Sequence, residues 1–201
     1  MDRYLKFSDL ARNETEGEDY AIDHRKGDHK VAVVAIHGGG IEPGTADIAD
    51  AVAGKTYAYY AFKGLKKRGN KILHLGSNRY DEPLGMQVVQ DARIVLSIHG
   101  CRAETQIVFV GGKDRELREK VISSLQSAGF VAVVSAVPGQ RGINDENICN
   151  RCKSGKGVQL EISRGLRDKM YEGLDRRSKR KRAPLFYAFV QCLRMALEEK
   201  P

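Results

Sequence analysis

A chain of 201 residues, 41% hydrophobic and 30% charged, can bury one core, and nothing in its composition demands a second domain. No apolar run reaches bilayer length and the first residues lack the apolar centre of a signal peptide, so a membrane span is excluded. Four cysteines, Cys101, Cys149, Cys152 and Cys192, are too few and scattered for a disulfide scaffold, and a net charge of +8 favours an anionic partner.

In chain order, residues 1 to 30 are polar, with an acidic cluster from Asn13 to Asp19, and read as an extension of loops and short pieces packed on a single domain spanning 1–201. Val31 to Ile36 is a valine-rich run stopped by three glycines, the pattern of a strand covered on both faces. Pro43-Gly-Thr45 supplies a turn and an N-cap, and a helix is expected from Ala46 to about Leu65. Asn70 to Leu75 reads as a short strand and Met86 to Asp91 as a short helix. Ala92 to Ile98 and Gln106 to Val110 read as strands. Leu117, Val121 and Leu125 mark a helix over Asp114 to Ala128, and Phe130 to Val137 reads as another buried strand. Pro138 to Gly157 is too long, polar and glycine-rich for a simple connection, which makes it a candidate functional loop. Gly157 to Ser163 reads as a strand running into a helix from Arg164 to about Leu174, and Leu185 to Glu198 as a closing amphipathic helix. Strands alternating with helices predict an α/β domain with a mostly parallel mixed sheet and helices on both faces.

Two of the strand-like runs end in a histidine followed by glycine, at His37 and His99, and Glu42 follows His37 within a glycine loop. In an open α/β sheet, sites form at that end of the strands. Two imidazoles and a carboxylate suit zinc, whose open position holds a water able to attack an amide carbonyl. The alternative is that strand-end histidines beside glycines cap the sheet by hydrogen bonding. Amide hydrolysis also needs a proton carrier. Glu161 is the candidate, because a carboxylate inside the apolar run Val158 to Ile162 is costly unless paired or functional. The alternative places Gln159, Glu161 and Ser163 on an exposed face at a sheet edge. Guanidinium groups bind carboxylates in pairs of hydrogen bonds. Asn150 with Arg151, and Arg164 with Arg167, flank the Glu161 strand as candidates to bind substrate, against the alternative of surface arginines that keep the chain soluble. His74 and Asp81 are spare candidates.

Cys149 and Cys152 read as two incidental thiols rather than half a zinc site or a redox pair. The basic run Arg176 to Arg182 lacks the interleaved aromatics of a nucleic-acid-binding surface, so nucleic-acid contact is the less favoured use of the positive charge.

Four blocks in order, His37-Gly-Gly-Gly-Ile-Glu42, Ser97-Ile-His-Gly100, Asn147-Ile-Cys-Asn-Arg151 and Gly157-Val-Gln-Leu-Glu-Ile-Ser-Arg164, together resemble the phage-derived poly-γ-glutamate hydrolases. These are small zinc enzymes with a carboxypeptidase-like α/β fold, and the resemblance spans about residues 30 to 195. It implies zinc on His37, Glu42 and His99, with Glu161 as the catalytic carboxylate. By likeness to the wider zinc carboxypeptidases it also implies a substrate carboxylate on Asn150 and Arg151, although their first two ligands lie three residues apart against five here. The implied reaction is endo-type cleavage of γ-linked glutamyl amides in a bacterial capsule polymer, a polyanion that matches the chain's charge. A monomer is expected, made in the cytoplasm and freed by cell lysis. Two other functions compete: a zinc amidase acting on another acyl amino acid or a cell-wall peptide, and a phage nucleic-acid-binding factor using segment 176–182.

Overall fold

Val31 to Ile36 lies at the centre of the sheet because it has apolar side chains for both faces. The computed structural model describes residues 2–198, His29 by its backbone alone; Met1 and residues 199–201 of the expected domain lie outside the described residues. Chain order runs α1 (Phe7–Asn13), β1 (Tyr20–Arg25), β2 (Asp28–Gly39), α2 (Thr45–Ala53), β3 (Tyr57–Gly64) and α3 (Pro83–Asp91). Then follow β4 (Ile94–Cys101), β5 (Val108–Gly112), α4 (Arg115–Ser127), β6 (Ala132–Val134), β7 (Val158–Ser163), α5 (Arg164–Met170) and α6 (Pro184–Leu197).

The seven strands form one mixed sheet in the order β1-β3-β2-β4-β7-β5-β6, antiparallel at β1/β3 and β5/β7 and parallel elsewhere. Alternation along β2 sends Val31, Val33 and Ala35 to one face and Ala32, Val34 and Ile36 to the other. The first face packs on α2, α4, α5 and α6, and the second on α1, α3 and the loop around Ile148. On α6, Phe186 and Phe189 are fully buried against the first face, each stabilising the packing by roughly 1.5–3 kcal/mol. No helix among the described residues is long and apolar enough to cross a membrane.

The two faces differ where it matters for chemistry. On β4 and β7, Leu96, Ile98, Val158, Leu160 and Ile162 serve the first core. Ser97, His99, Gln159 and Glu161 occupy the opposite face, and all four are buried. Glu161 therefore belongs to a covered polar layer on an inner strand, and the solvent-exposed edge is ruled out for it.

Several expected elements differ. The helix expected to reach Leu65 stops at Ala53, where Gly54 turns at φ 55, and Tyr57 to Gly64 forms β3 instead. Its aromatics alternate, Tyr57 and Tyr59 to one core and Tyr60 and Phe62 to the other, a period only a strand satisfies. Residues 1 to 30 are more than an extension: β1 takes the outer edge of β3, and Tyr20 stacks on Phe62 at 5.1 Å. Asn70 to Leu73 is a 3-10 turn rather than a strand, since β1 already occupies the edge it would need. The expected strand from Phe130 to Val137 is reduced to β6, the last in the sheet, with Val134 52% exposed. The helix from Arg164 ends at Met170 because Tyr171–Glu172 leaves it to pair with Lys181–Arg182. Cys149 and Cys152 are buried free thiols whose Sγ atoms meet backbone carbonyls.

Candidate metal and catalytic site

The site lies where β2 and β4 cease to pair. Their ladder ends at Val34 and Ser97, and beyond it the Gly100 N–H is taken by the Glu42 carboxylate, Oε2 accepting at 2.8 Å. The loop that carries Glu42 back is closed by its own backbone: Glu42 N–H donates to His37 O at 2.8 Å, and Gly40 N–H to Gly64 O at 2.9 Å. Gly39 adopts φ +66, and a Cβ there would lie 2.3 Å from Gly64 O, so the five-residue return depends on glycine.

This fold-back brings three ligand atoms together. His37 Nδ1 lies 3.1 Å from Glu42 Oε1 and 3.1 Å from His99 Nδ1, and Glu42 Oε2 lies 3.8 Å from His99 Nδ1. The outer ring nitrogens are already engaged. His37 Nε2–H donates to Leu75 O at 2.8 Å, and His99 Nε2 meets Ser97 Oγ at 2.9 Å. A carbonyl only accepts, so in neutral His37 the Nδ1 lone pair points inward. With His99 donating Nε2–H to Ser97, three acceptors face one another and a cation satisfies them all. Two imidazoles and a carboxylate held from behind in this way are a zinc-type donor set. Beside them, the β4/β7 register sets Glu161 opposite His99. Glu161 Oε1 accepts from Gln159 Nε2 at 3.1 Å, and Gln159 Oε1 accepts from Asn147 Nδ2 at 3.0 Å. His37, Glu42, His99 and Glu161 share one cleft of about 750 Å³ with His74, Arg79, Arg102 and Gln140.

The poly-gamma-glutamate hydrolase family matches residues 4–192. The chain belongs to that family. Its relative YndL, a UPF0714 protein of Bacillus subtilis (strain 168), is 38% identical over 171 residues, 85% of this chain and 67% of YndL. The solved structure of a bacteriophage poly-gamma-glutamate hydrolase superposes with a TM-score of 0.93 at 31% identity, covering 98% of this chain and 97% of that one. The zinc-free apo form of YndL superposes with a TM-score of 0.90 at 34% identity, covering 98% of each chain. Membership makes the chain a hydrolase and agrees with the α/β fold expected from its sequence.

Burial sets the electrostatics of this family member's site. It pushes the Glu42 carboxyl up, but the charge and hydrogen bond of His37 outweigh it and hold Glu42 down at about 2. Burial lowers His37 as well, and there Glu42 prevails and raises it. Burial dominates at His99, taking it down to about 3, so its imidazole is neutral. Burial and then the charge of Glu42 push Glu161 up to about 8. In the metal-free chain Glu161 thus keeps its proton to far higher pH than an unfolded glutamate, ordinary value 4.5. The unfolded state releases that proton first, so stability falls as pH rises between those two values. Thermal melting of chelated protein should show this fall, reduced in Glu161→Gln; parallel profiles would contradict it.

The other candidate residues are dispersed. Asn150 is buried, its Nδ2 donating to Gly142 O and Asn144 O and its Oδ1 accepting from Gly157 N–H. Arg151 donates to Tyr80 O, and neither residue is among those lining the cleft. A short amide serves the long loop's own backbone before it can serve a ligand. Buried Arg167 spends its guanidinium on the carbonyls of Ile162, Pro43 and Cys101. Arg164 pairs with Asp168 and Asp175 at an adjoining cleft. Asp81 caps α1 by accepting from Phe7 N–H. His74 stacks on His37 at 3.9 Å and is held by Asp2 at 2.8 Å. Asp2, Ser97, Arg79, Arg102 and Gln140 escape the sequence reading. Two of them carry a signal: Gln140 sits in the long glycine-rich loop, and Ser97 lies two residues before His99 in the same run.

Ser97→Ala tests the support behind His99. It removes the hydroxyl from Nε2 with little change in volume, and loss of such a partner costs about 10–100-fold in metal affinity. Zinc titration calorimetry should show that loss; unchanged affinity would mean Ser97 does not orient the ring.

Proposed function

We propose that this chain is a zinc-dependent hydrolase that cuts γ-glutamyl amide bonds in poly-γ-glutamate, with the metal held by His37, Glu42 and His99. The observation that carries this reading is the convergence of His37 Nδ1, His99 Nδ1 and the Glu42 carboxylate beside Glu161 in one cleft. The name of the phage relative supplies the polymer, and the zinc-free form of YndL supports zinc as the metal. When bound, zinc supplies Lewis acidity at the amide carbonyl and eases ionisation of the attacking water. Glu161, its Oε1 held by Gln159, takes the water's proton on Oε2 and returns it to the leaving nitrogen. His74, braced by Asp2, keeps the His37 ring from tilting. Arg102 at the cleft, for which no ion pair is seen among the described residues, holds the polymer's side carboxylates, while Arg164 is already paired with Asp168 and Asp175. Arg167 braces the loops that carry Pro43 and Cys101.

The test is size analysis of poly-γ-glutamate and of α-linked polyglutamate after incubation with the zinc-loaded protein. The γ-linked polymer should shorten and the α-linked one remain intact. Cleavage of a cell-wall peptide or an N-acyl amino acid, with both polymers untouched, would overturn the substrate.

A further inference from the structure

We infer that a cationic subsite for polymer carboxylates lies beyond the catalytic cleft, on the far side of the Glu42 loop, and that it makes cleavage depend on chain length. This deepens the functional reading above and rests on it. Three clefts run in succession and share walls. The catalytic cleft has Glu42, His74, Gly100 and Arg102 in common with the cleft bounded by Arg164 and Arg167. That cleft shares Pro43 and Lys71 with a third, floored by Gly39 and Gly40. A chain leaving the metal site past Arg102 therefore meets these adjoining clefts in turn.

The charge along this path is uneven. In the third cleft Lys66 is neutralised by Glu14 and Asp19, Arg180 by Asp47, and Asp175 is already engaged with Arg164. Lys67, Arg68 and Lys71 are exposed and have no ion pair among the described residues. Arg177 donates only to the carbonyls of Gly64 and Leu65, which leaves its positive charge uncompensated. Four unneutralised cations thus gather around a cleft continuous with the reaction site. A short acyl amino acid has no group that reaches them. A γ-linked polymer carries a free carboxylate on every residue, and each one placed here adds attraction by effective concentration rather than by new contact at the scissile bond. The subsite also gives the segment around Arg177 a use that does not involve nucleic acid.

The experiment compares wild type with Lys67→Ala/Arg68→Ala/Lys71→Ala on γ-linked glutamate oligomers of increasing length and on the long polymer, at low and high salt. In wild type, kcat/KM should rise about tenfold or more with length, and the rise should vanish in the variant and at high salt. Equal length dependence in the two proteins would overturn the subsite. Should wild type cleave no γ-glutamyl substrate, the functional reading fails, and binding of fluorescent poly-γ-glutamate judges the subsite separately. Weaker binding by the triple variant supports it; equal binding, or displacement of the polymer by a DNA oligonucleotide at lower concentration, overturns it.

Discussion

Glu161→Gln is expected to lower kcat on poly-γ-glutamate by about 10²–10⁴-fold while leaving KM and metal content nearly unchanged. The substitution keeps the side chain's shape, and the replacement's amide oxygen still accepts from Gln159 Nε2. What it removes is the capacity to take up and return a proton. Because Glu161 is 9% exposed and burial opposes its ionised form, the variant should be at least as stable as wild type, which separates a catalytic loss from a folding loss. Steady-state kinetics with a thermal melt on the same preparation reads both. A kcat within tenfold of wild type would remove Glu161 from the proton path.

His37→Ala should abolish stoichiometric metal binding and reduce cleavage to below about 1% of wild type, since a catalytic zinc has only three protein ligands to lose. The loss exceeds one donor atom. His37 Nδ1 is the atom nearest both other ligands, and its ring backs onto His74. Its absence also frees Glu42, whose carboxyl is held down chiefly by His37 against the opposing effect of burial. Elemental analysis after gel filtration, with circular dichroism to establish the fold, checks this. A folded variant retaining full metal content would contradict the ligand assignment.

How much of this was readable from the chain varies with the kind of residue. Strands β2, β4 and β7 announced themselves as apolar runs stopped at glycine or serine, and His37, Glu42, His99 and Glu161 are legible because their place at strand ends, or their charge within an apolar run, is a local property. The half-exposed edge strand β1 has no apolar run to betray it, and β3 is hidden because its alanines and tyrosines, resuming three residues after Gly54, look like a continuation of the apolar spacing of α2. Substrate-side residues are harder still. Asn150 and Arg151 form a suggestive pair in sequence, yet their hydrogen bonds are decided by the return path of a long loop. Arg79 and Arg102 are two among 34 basic residues, and only the cleft distinguishes them. Leu75, whose carbonyl fixes the His37 ring, acts through its backbone and leaves no trace in side-chain chemistry.

The most direct test of the account is the viscosity of a poly-γ-glutamate solution with zinc-loaded wild-type protein, with the same protein after chelation, and after zinc is returned. The account predicts a steep fall in viscosity, its arrest on chelation and its recovery at about one zinc per chain. Viscosity that falls equally in the chelated, metal-free protein would contradict a metal-dependent site at His37, Glu42 and His99.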